Sequence, residues 1–256
     1  MKIIVCVKQV VDSEATLQLA NDEITWGDSP LILNPFDEYA VEAALQLKDK
    51  YNAEVIALSI GKPDETDALR RTLAMGADSA VQIILDDPSG IDTLTAARLI
   101  SSAIERIGNV QLVLFGRQSL DSGSGILAAQ SARTLGWPLL GYVGKIEVDG
   151  NNIVVERFLE EKRLSIKSSM PAAISVVQSI GEPRYPSFIG IKRAQKAEIQ
   201  TMPANEFGTA LDGFRTSHVS YALPAKKTTA CEFISGESLA ELAEKTVQKM
   251  MERKIL

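Results

Sequence analysis

Residues 115–126 read FGRQSLDSGSGI and gather the groups best suited to holding an anion. Gly116 and Arg117 follow an apolar run, Gln118 comes next, and Asp121 and Ser122 begin a turn. Gly123, Ser124 and Gly125 then lead into ILAAQSARTLG (126–136), a helical pattern opened by Ile126 and Leu127. The N–H groups at a helix start have no partner inside the helix. Glycine leaves them uncovered, and the helix dipole makes that end electropositive. Ser122 and Ser124 add hydroxyl donors, so phosphate is the group this stretch would take. The pattern is neither GxGxxG nor GxxxxGK[ST], and spacing alone leaves a nucleotide cradle and a plain turn both open.

A second stretch, LILNPFDEYAVEAALQL (31–47), starts another helix. Asn34 stands at the cap, Pro35 at the first helical position and Asp37 at the third, a capping box built with Asp. Capping accounts for Asn34 and Pro35 but not for Phe36, an aromatic that points outward from a helix start towards a ligand or partner. Groups for bond-making chemistry are scarce. The one histidine, His218, falls in an irregular region, which argues against Ser-His-Asp or Cys-His catalysis. Glu156, Glu160 and Glu161 sit on a hairpin pattern where solvated faces account for them. Cys6 and Cys231 form no CxxC pair, no cluster has metal-ligand spacing, and the cysteine usage suits a reducing compartment, expected to be cytoplasm.

These residues need elements to position them. Apolar runs at 3–7, 55–60, 81–85, 112–116 and 173–177 alternate with helical patterns at 38–50, 64–75, 92–107 and about 124–135. Strands that are apolar throughout and separated by helices predict an α/β fold with a mostly parallel sheet covered on both faces. Ligands of such sheets bind beyond the carboxyl ends of the strands, which is where 116–127 falls. Residues 145–167 alternate with period two around Asp149-Gly150 and predict a small antiparallel hairpin with a third strand. The 256 residues, 45% of them hydrophobic, suit one large domain with an appendage. A net charge of −6 argues against nucleic acid as a partner. No apolar run reaches the roughly 20 residues needed to span a bilayer, so no membrane insertion is expected.

From about residue 200 the pattern loses its period, and an amphipathic helix at 238–254 follows. The expected division is a nucleotide-binding domain at 1–200 and an extended arm with a docking helix at 201–256. Phe207, Phe214, Tyr221 and Phe233 make the arm too apolar for a solvated linker.

Taken in order, VCVKQVVD (5–12), NPFDEYAVEAALQLK (34–48), TLAMGAD (72–78), FGRQSLDSGSG (115–125), VERFLE…MPAAISVV (155–177) and GEPRYPSFIGIKRAQK (181–196) resemble the β subunit of electron transfer flavoproteins. The resemblance covers nearly the whole chain. It implies an αβ heterodimer whose α subunit carries most of the contacts to a redox-active FAD. It also implies a β subunit that holds either AMP, as a structural ligand, or a second FAD in the flavin-bifurcating branch that oxidises NADH. NPFDEYAVE resembles the AMP branch more. Electrons would arrive from an acyl-CoA or other dehydrogenase and leave to a quinone oxidoreductase or other acceptor, in cytoplasm or in a mitochondrial matrix. A stand-alone adenine-nucleotide enzyme of the pyrophosphatase-like or stress-protein kind shares the sheet-and-loop logic, but the chain lacks an acid/base pair for it.

Carried over by position, the resemblance places Cys6, Asn34, Pro35, Phe36, Asp37 and the loop from Gly116 to Leu127 around the nucleotide phosphate. Gly125, Ile126 and Leu127 stand where the family often has Gln or Thr, which leaves phosphate to backbone N–H groups, Ser122 and Ser124. The resemblance also makes 181–196 an exposed docking loop for the dehydrogenase, with Tyr185, Phe188, Ile189 and Ile191 as its apolar contacts.

Overall fold

The first apolar run becomes β1 (Lys2–Cys6), whose side chains alternate between two cores. Ile3 and Val5 pack among Val41, Leu45 and Leu69, while Ile4 and Cys6 pack among Leu99, Ile104 and Ala132. A strand with a hydrophobic cluster on each face has no room for a polar position. The computed structural model describes residues 1–20, 23–88, 91–159, 162–211, 216, 219–222 and 231–255. Phe214, His218, Glu160 and Glu161 lie outside the described residues.

Two short antiparallel pairs follow β1: β2 (Gln9–Val11) with a later strand β5 (Leu31–Leu33), and β3 (Gln18–Ala20) with β4 (Glu23–Thr25). Then α1 (Pro35–Tyr51), β6 (Glu54–Gly61), α2 (Asp67–Met75), β7 (Ser79–Ile84), α3 (Thr93–Ile107), β8 (Leu112–Phe115) and α4 (Leu127–Leu135) alternate. Val41, Ala44 and Leu45 of α1 are buried, the stripe its periodicity predicts. Helix α2 stops where expected, at Gly76, whose φ of +135° suits a residue without a Cβ and whose N–H reaches Leu73 O and Thr72 O. The strands β9 (Leu139–Asp149), β10 (Asn152–Phe158) and β11 (Arg163–Ser169) form the antiparallel meander around Asp149-Gly150, and β12 (Ala172–Val176) returns parallel to β8 and β9.

All of these except the two short pairs join one nine-stranded sheet of order β11-β10-β9-β12-β8-β1-β6-β7-β13, whose last strand β13 is Gln200–Pro203. The chain runs outward from β1 through β6 to β7, then crosses back to lay β8 on the other side of β1. The order therefore reverses between β1 and β8, and that crevice is where open α/β sheets bind ligands.

Two stretches differ from expectation. The irregular arm predicted from about residue 200 begins instead with β13, parallel to β7, and continues over Ala204–Leu211 as two three-ten pieces separated by a kink at Gly208. Ala204 is buried there, and Phe207 packs on the α3 core with the Arg106 guanidinium 4.5 Å from its ring centroid. A strand of four residues is too short to display an alternating period, so packing rather than pattern defines it. The docking loop predicted over 181–196 is extended only at its start; Phe188–Lys196 is a helix, α5. Pro183 and Pro186 both precede its first turn, and Ser187 caps it by accepting from Gly190 N at 3.0 Å. The prolines thus mark the entry to a helix rather than its absence.

The chain divides into two compact units, Met1–Ser220 and Tyr221–Leu256. The second contains α6 (Leu239–Glu252), capped by Ser238 and laced to Glu232 through Lys249 and Arg253. None of its side chains is buried: Leu239 is 85% exposed, Val247 is exposed and Leu242 is half-buried. Among the described residues no helix is long and apolar enough to cross a membrane.

Candidate nucleotide-binding site

The crevice between β1 and β8 is built from three chain segments that meet at one carboxylate. Strand β1 ends at Cys6 and the chain turns at Lys8, α1 begins at Asn34-Pro35, and β8 ends before Gly116. Asp37, buried in the first turn of α1, accepts from Lys8 N at 2.9 Å and from the backbone N–H of Gly116. Gly116 is required by this approach: a Cβ there would sit 2.5 Å from Asp37 Oδ1 and 2.6 Å from the Phe36 carbonyl. Burial pushes the Asp37 carboxyl up to about 7, against the hydrogen bonds from Asn34, Lys8 and Gly116, which favour its charged form.

Asn34 holds the loop rather than its own helix. It makes no side-chain cap. Its Nδ2 instead donates to Gln118 O at 2.9 Å and its Oδ1 accepts from Leu120 N at 3.2 Å, a two-pronged grip on loop backbone 84 to 86 residues away. The capping box predicted for Asn34 and Asp37 is therefore corrected. Both side chains fasten the 116–120 segment, because that segment also needs partners for its backbone and lies against the helix end.

Beyond Leu120 the loop is fixed by its own polar groups. Asp121 accepts from Ser122 N at 2.7 Å and pairs with the ammonium of Lys8, which holds its carboxyl below the usual range despite partial burial. The Ser119 and Ser122 hydroxyls share a hydrogen bond at 2.7 Å, and Gly123 N donates to Ser119 O at 2.9 Å. Gly123 and Gly125 have φ of +60° and +63°, conformations that L side chains rarely adopt, and a Cβ on Gly123 would meet open space. Asp121 to Ile126 are all exposed, and α4 starts at Leu127 without any side-chain cap. An uncapped helix start fronted by two such glycines fits a phosphate group: donors are present, uncovered and unclaimed by side chains.

The structure brings together Asn34, Pro35, Phe36, Asp37, Gly116, Gln118, Asp121 and Ser122, and places Ser124 and Gly125 on the open rim. Arg117 is exposed and stacks on Tyr142, its guanidinium 5.8 Å from the ring centroid. Cys6 is only 6% exposed and belongs to the α3 core. Burial first and the charge of Asp37 second raise its thiol well above the ordinary value, so it is a neutral packing group. Leu127 is half-buried against the same core. Tyr185, Phe188, Ile189 and Ile191 form no part of this crevice. They lie on and before α5, whose Gly190 abuts Ala74 O of α2 and whose Ala194 carbonyl accepts from Arg70 at 2.8 Å.

Sequence reasoning missed Lys8 and Tyr142, and included Leu120 only as part of the loop from Gly116 to Leu127. Lys8 carries a weak signal, a charge directly after an apolar strand, but Tyr142 carries none in its neighbours. Its φ of +57° is visible only in the folded chain. A cleft of about 460 Å³ opens elsewhere, between Tyr39, Arg71 and Tyr185. Among the described residues no three His, Cys, Asp or Glu side chains are placed to hold a metal ion.

Comparison with known proteins agrees with this architecture. The electron transfer flavoprotein domain matches residues 27–207. The electron transfer flavoprotein subunit beta of Mycobacterium tuberculosis is 32% identical over 99% of both chains. A subunit of the caffeyl-CoA reductase-Etf complex of Acetobacterium woodii is 32% identical over 100% of both. The subunit beta of Bacillus subtilis is 29% identical, also over 100% of both. With a family domain across most of its length and relatives aligned end to end, the chain belongs to the electron transfer flavoprotein family, as one of its β subunits.

Proposed function

We propose that this β subunit is an electron-carrier component that holds AMP as a structural ligand in the β1/β8 crevice and makes no bonds itself. The observation that carries the reading is the open loop at the sheet's reversal point, with an uncapped α4 start and two left-handed glycines. Backbone N–H groups near Gly125 to Ala128 and the hydroxyls of Ser122 and Ser124 would hold the phosphate. Arg117 stands close by to balance its charge. Asp37 anchors the loop from beneath, and its raised titration reduces the negative charge facing a phosphate.

The redox chemistry belongs to FAD, held mainly by the α subunit of a heterodimer. Phe36, half-buried at the start of α1, would exclude water from the flavin edge. The second unit, with its unburied α6, would wrap the α subunit, and the apolar tip around Phe188 would meet an acyl-CoA or other dehydrogenase. A quinone oxidoreductase or other acceptor would take the electrons, in cytoplasm.

A second reading is favoured by Leu120, Ile126 and Tyr142, exposed apolar side chains able to flank a larger ring system. A second FAD, in a bifurcating β subunit that oxidises NADH, would use these side chains. Acid release and quantification of nucleotides from the purified heterodimer tests both: one FAD and one AMP supports the first, two FAD supports the second, and no bound nucleotide beyond one FAD defeats both.

A further inference from the structure

Glu42 is a buried acid that the nucleotide crevice does not use. It sits in the middle of α1, 5% exposed, and a charge so placed is stable only when paired and hydrogen-bonded. Its partner comes from 142 residues away: Arg184 approaches with Nε at 2.9 Å from Oε2 and Nη2 at 3.1 Å from Oε1, a two-pronged fork. The backbone N–H of Arg184 adds a third bond to Oε2 at 3.1 Å. Around this centre, Gln46 donates to Ile180 O at 3.3 Å, and Asp49 takes the remaining Arg184 Nη1 at 3.0 Å. Gly181 lets the chain pass, since a Cβ there would stand 2.7 Å from Gln46 Nε2.

What this arrangement restrains is the short chain that leads to the apolar tip. Tyr185 is 87% exposed, Phe188 71% and Ile189 79%, and the Lys192 ammonium lies 4.5 Å from the Phe188 ring centroid. The tip is therefore held from behind: on one side by Arg184, on the other by Gly190 and Ala194 of α5 against α2. We propose that Glu42 and Arg184 are positioning residues that hold segment 181–188 rigid, so that Tyr185 and Phe188 reach a protein electron donor already oriented. The inference rests on the docking reading of Phe188. Its physical content is preorganisation: a segment ordered before binding spends less of the interaction energy on ordering at binding. The pair is buried on the Glu42 side only, and such a pair contributes little net stability; what it contributes here is the fixed geometry of the fork.

The test uses the αβ heterodimer with its FAD, and an acyl-CoA dehydrogenase with its acyl-CoA substrate as electron donor. Amide exchange of the unmodified heterodimer comes first: the Arg184 N–H should be strongly protected, and exchange at the rate of a free loop overturns the clamp without any variant. Glu42→Gln keeps the shape of the side chain and removes its charge. It should raise KM for the heterodimer on the order of tenfold, as expected for the loss of about 1.4 kcal/mol of orientation, with kcat, FAD content and flavin absorbance unchanged. Arg184→Lys keeps the charge but loses the fork, and should fall between the two. An unchanged KM in Glu42→Gln, beside a raised KM in Phe188→Ala, overturns the clamp and leaves docking intact. Unchanged KM in both removes the docking reading and the clamp with it. If Glu42→Gln does not fold, Arg184→Lys decides by the same KM measurement.

Discussion

Asp37 Oδ2 accepts the backbone N–H of Lys8 at 2.9 Å, so a single carboxyl in the first turn of α1 fastens the end of β1. The same carboxyl titrates at about 7 rather than the ordinary 3.8 because it is buried. The folded chain therefore holds this proton more tightly than the unfolded chain does. Stability from this group is full below the ordinary value and is lost as pH rises towards 7 and just beyond. The whole difference corresponds to on the order of 4 kcal/mol. Asp37→Asn should remove that slope, so the difference in unfolding free energy between variant and parent should move in favour of the variant from pH 4 to 8. Parallel stability curves across that range would refute the assignment.

Gly116→Ala should be severe. The added methyl would occupy space 2.5 Å from Asp37 Oδ1 and 2.6 Å from backbone of Phe36, neither of which is a flexible side-chain end. A loss of about 2–3 kcal/mol is expected from overpacking at a fixed backbone. Bound nucleotide should fall with it, since the loop that follows would shift. Thermal unfolding and nucleotide content of the heterodimer measure both effects.

Removal of the second unit should separate assembly from folding. A chain cut after Ser220 keeps β13 and the Phe207 contact, so the nine-stranded sheet stays complete. It should fold, give a cooperative melt and fail to co-purify with the α subunit. Co-purification at full strength would show that Tyr221–Leu256 is not needed for the heterodimer.

Phe188→Ala should leave folding and FAD content alone, because the ring is 71% exposed. Docking aromatics at interface centres contribute on the order of 2–4 kcal/mol. Reduction by the dehydrogenase should therefore weaken roughly 30-fold or more. A folding defect with normal electron transfer per folded molecule would mean that the tip is structural.

Phe36→Ala tests the flavin edge. The side chain stands at the start of α1 with its carbonyl against Gly116. Its removal should shift the flavin potential or loosen FAD, measured by redox titration and by flavin retained after gel filtration. No change in either would place Phe36 away from the flavin.

The alternation of strands and helices is legible in the sequence because burial on both faces leaves unbroken apolar runs such as Ile3 to Val7. The loop from Gly116 to Gly125 is legible as a loop because its Gly, Ser and Asp residues suit neither strand nor helix. The fastenings are not legible. Asn34 looks like a cap from its neighbours, yet its amide spans to Gln118 and Leu120. Glu42 resembles any helical acid until Arg184 arrives from 142 residues away. Edge strand β13 escapes notice because four residues cannot show a period, and α5 because the prolines before it suggest a loop. Local rules describe elements; contacts between distant residues have no local signature.

Helix α1 also acts as a ruler. Asp37 near one end grips Gly116 at the start of the crevice loop and Glu42, five positions on, grips the chain that carries Phe188. At ~1.5 Å of rise and ~100° of turn per residue, these two grips are locked in both distance and direction. Inserting one residue between them would swing Glu42 away from Arg184 by that full angle while leaving every side chain present. In this subunit the spacing of the crevice loop from the segment that carries Phe188 is written as a residue count along one helix.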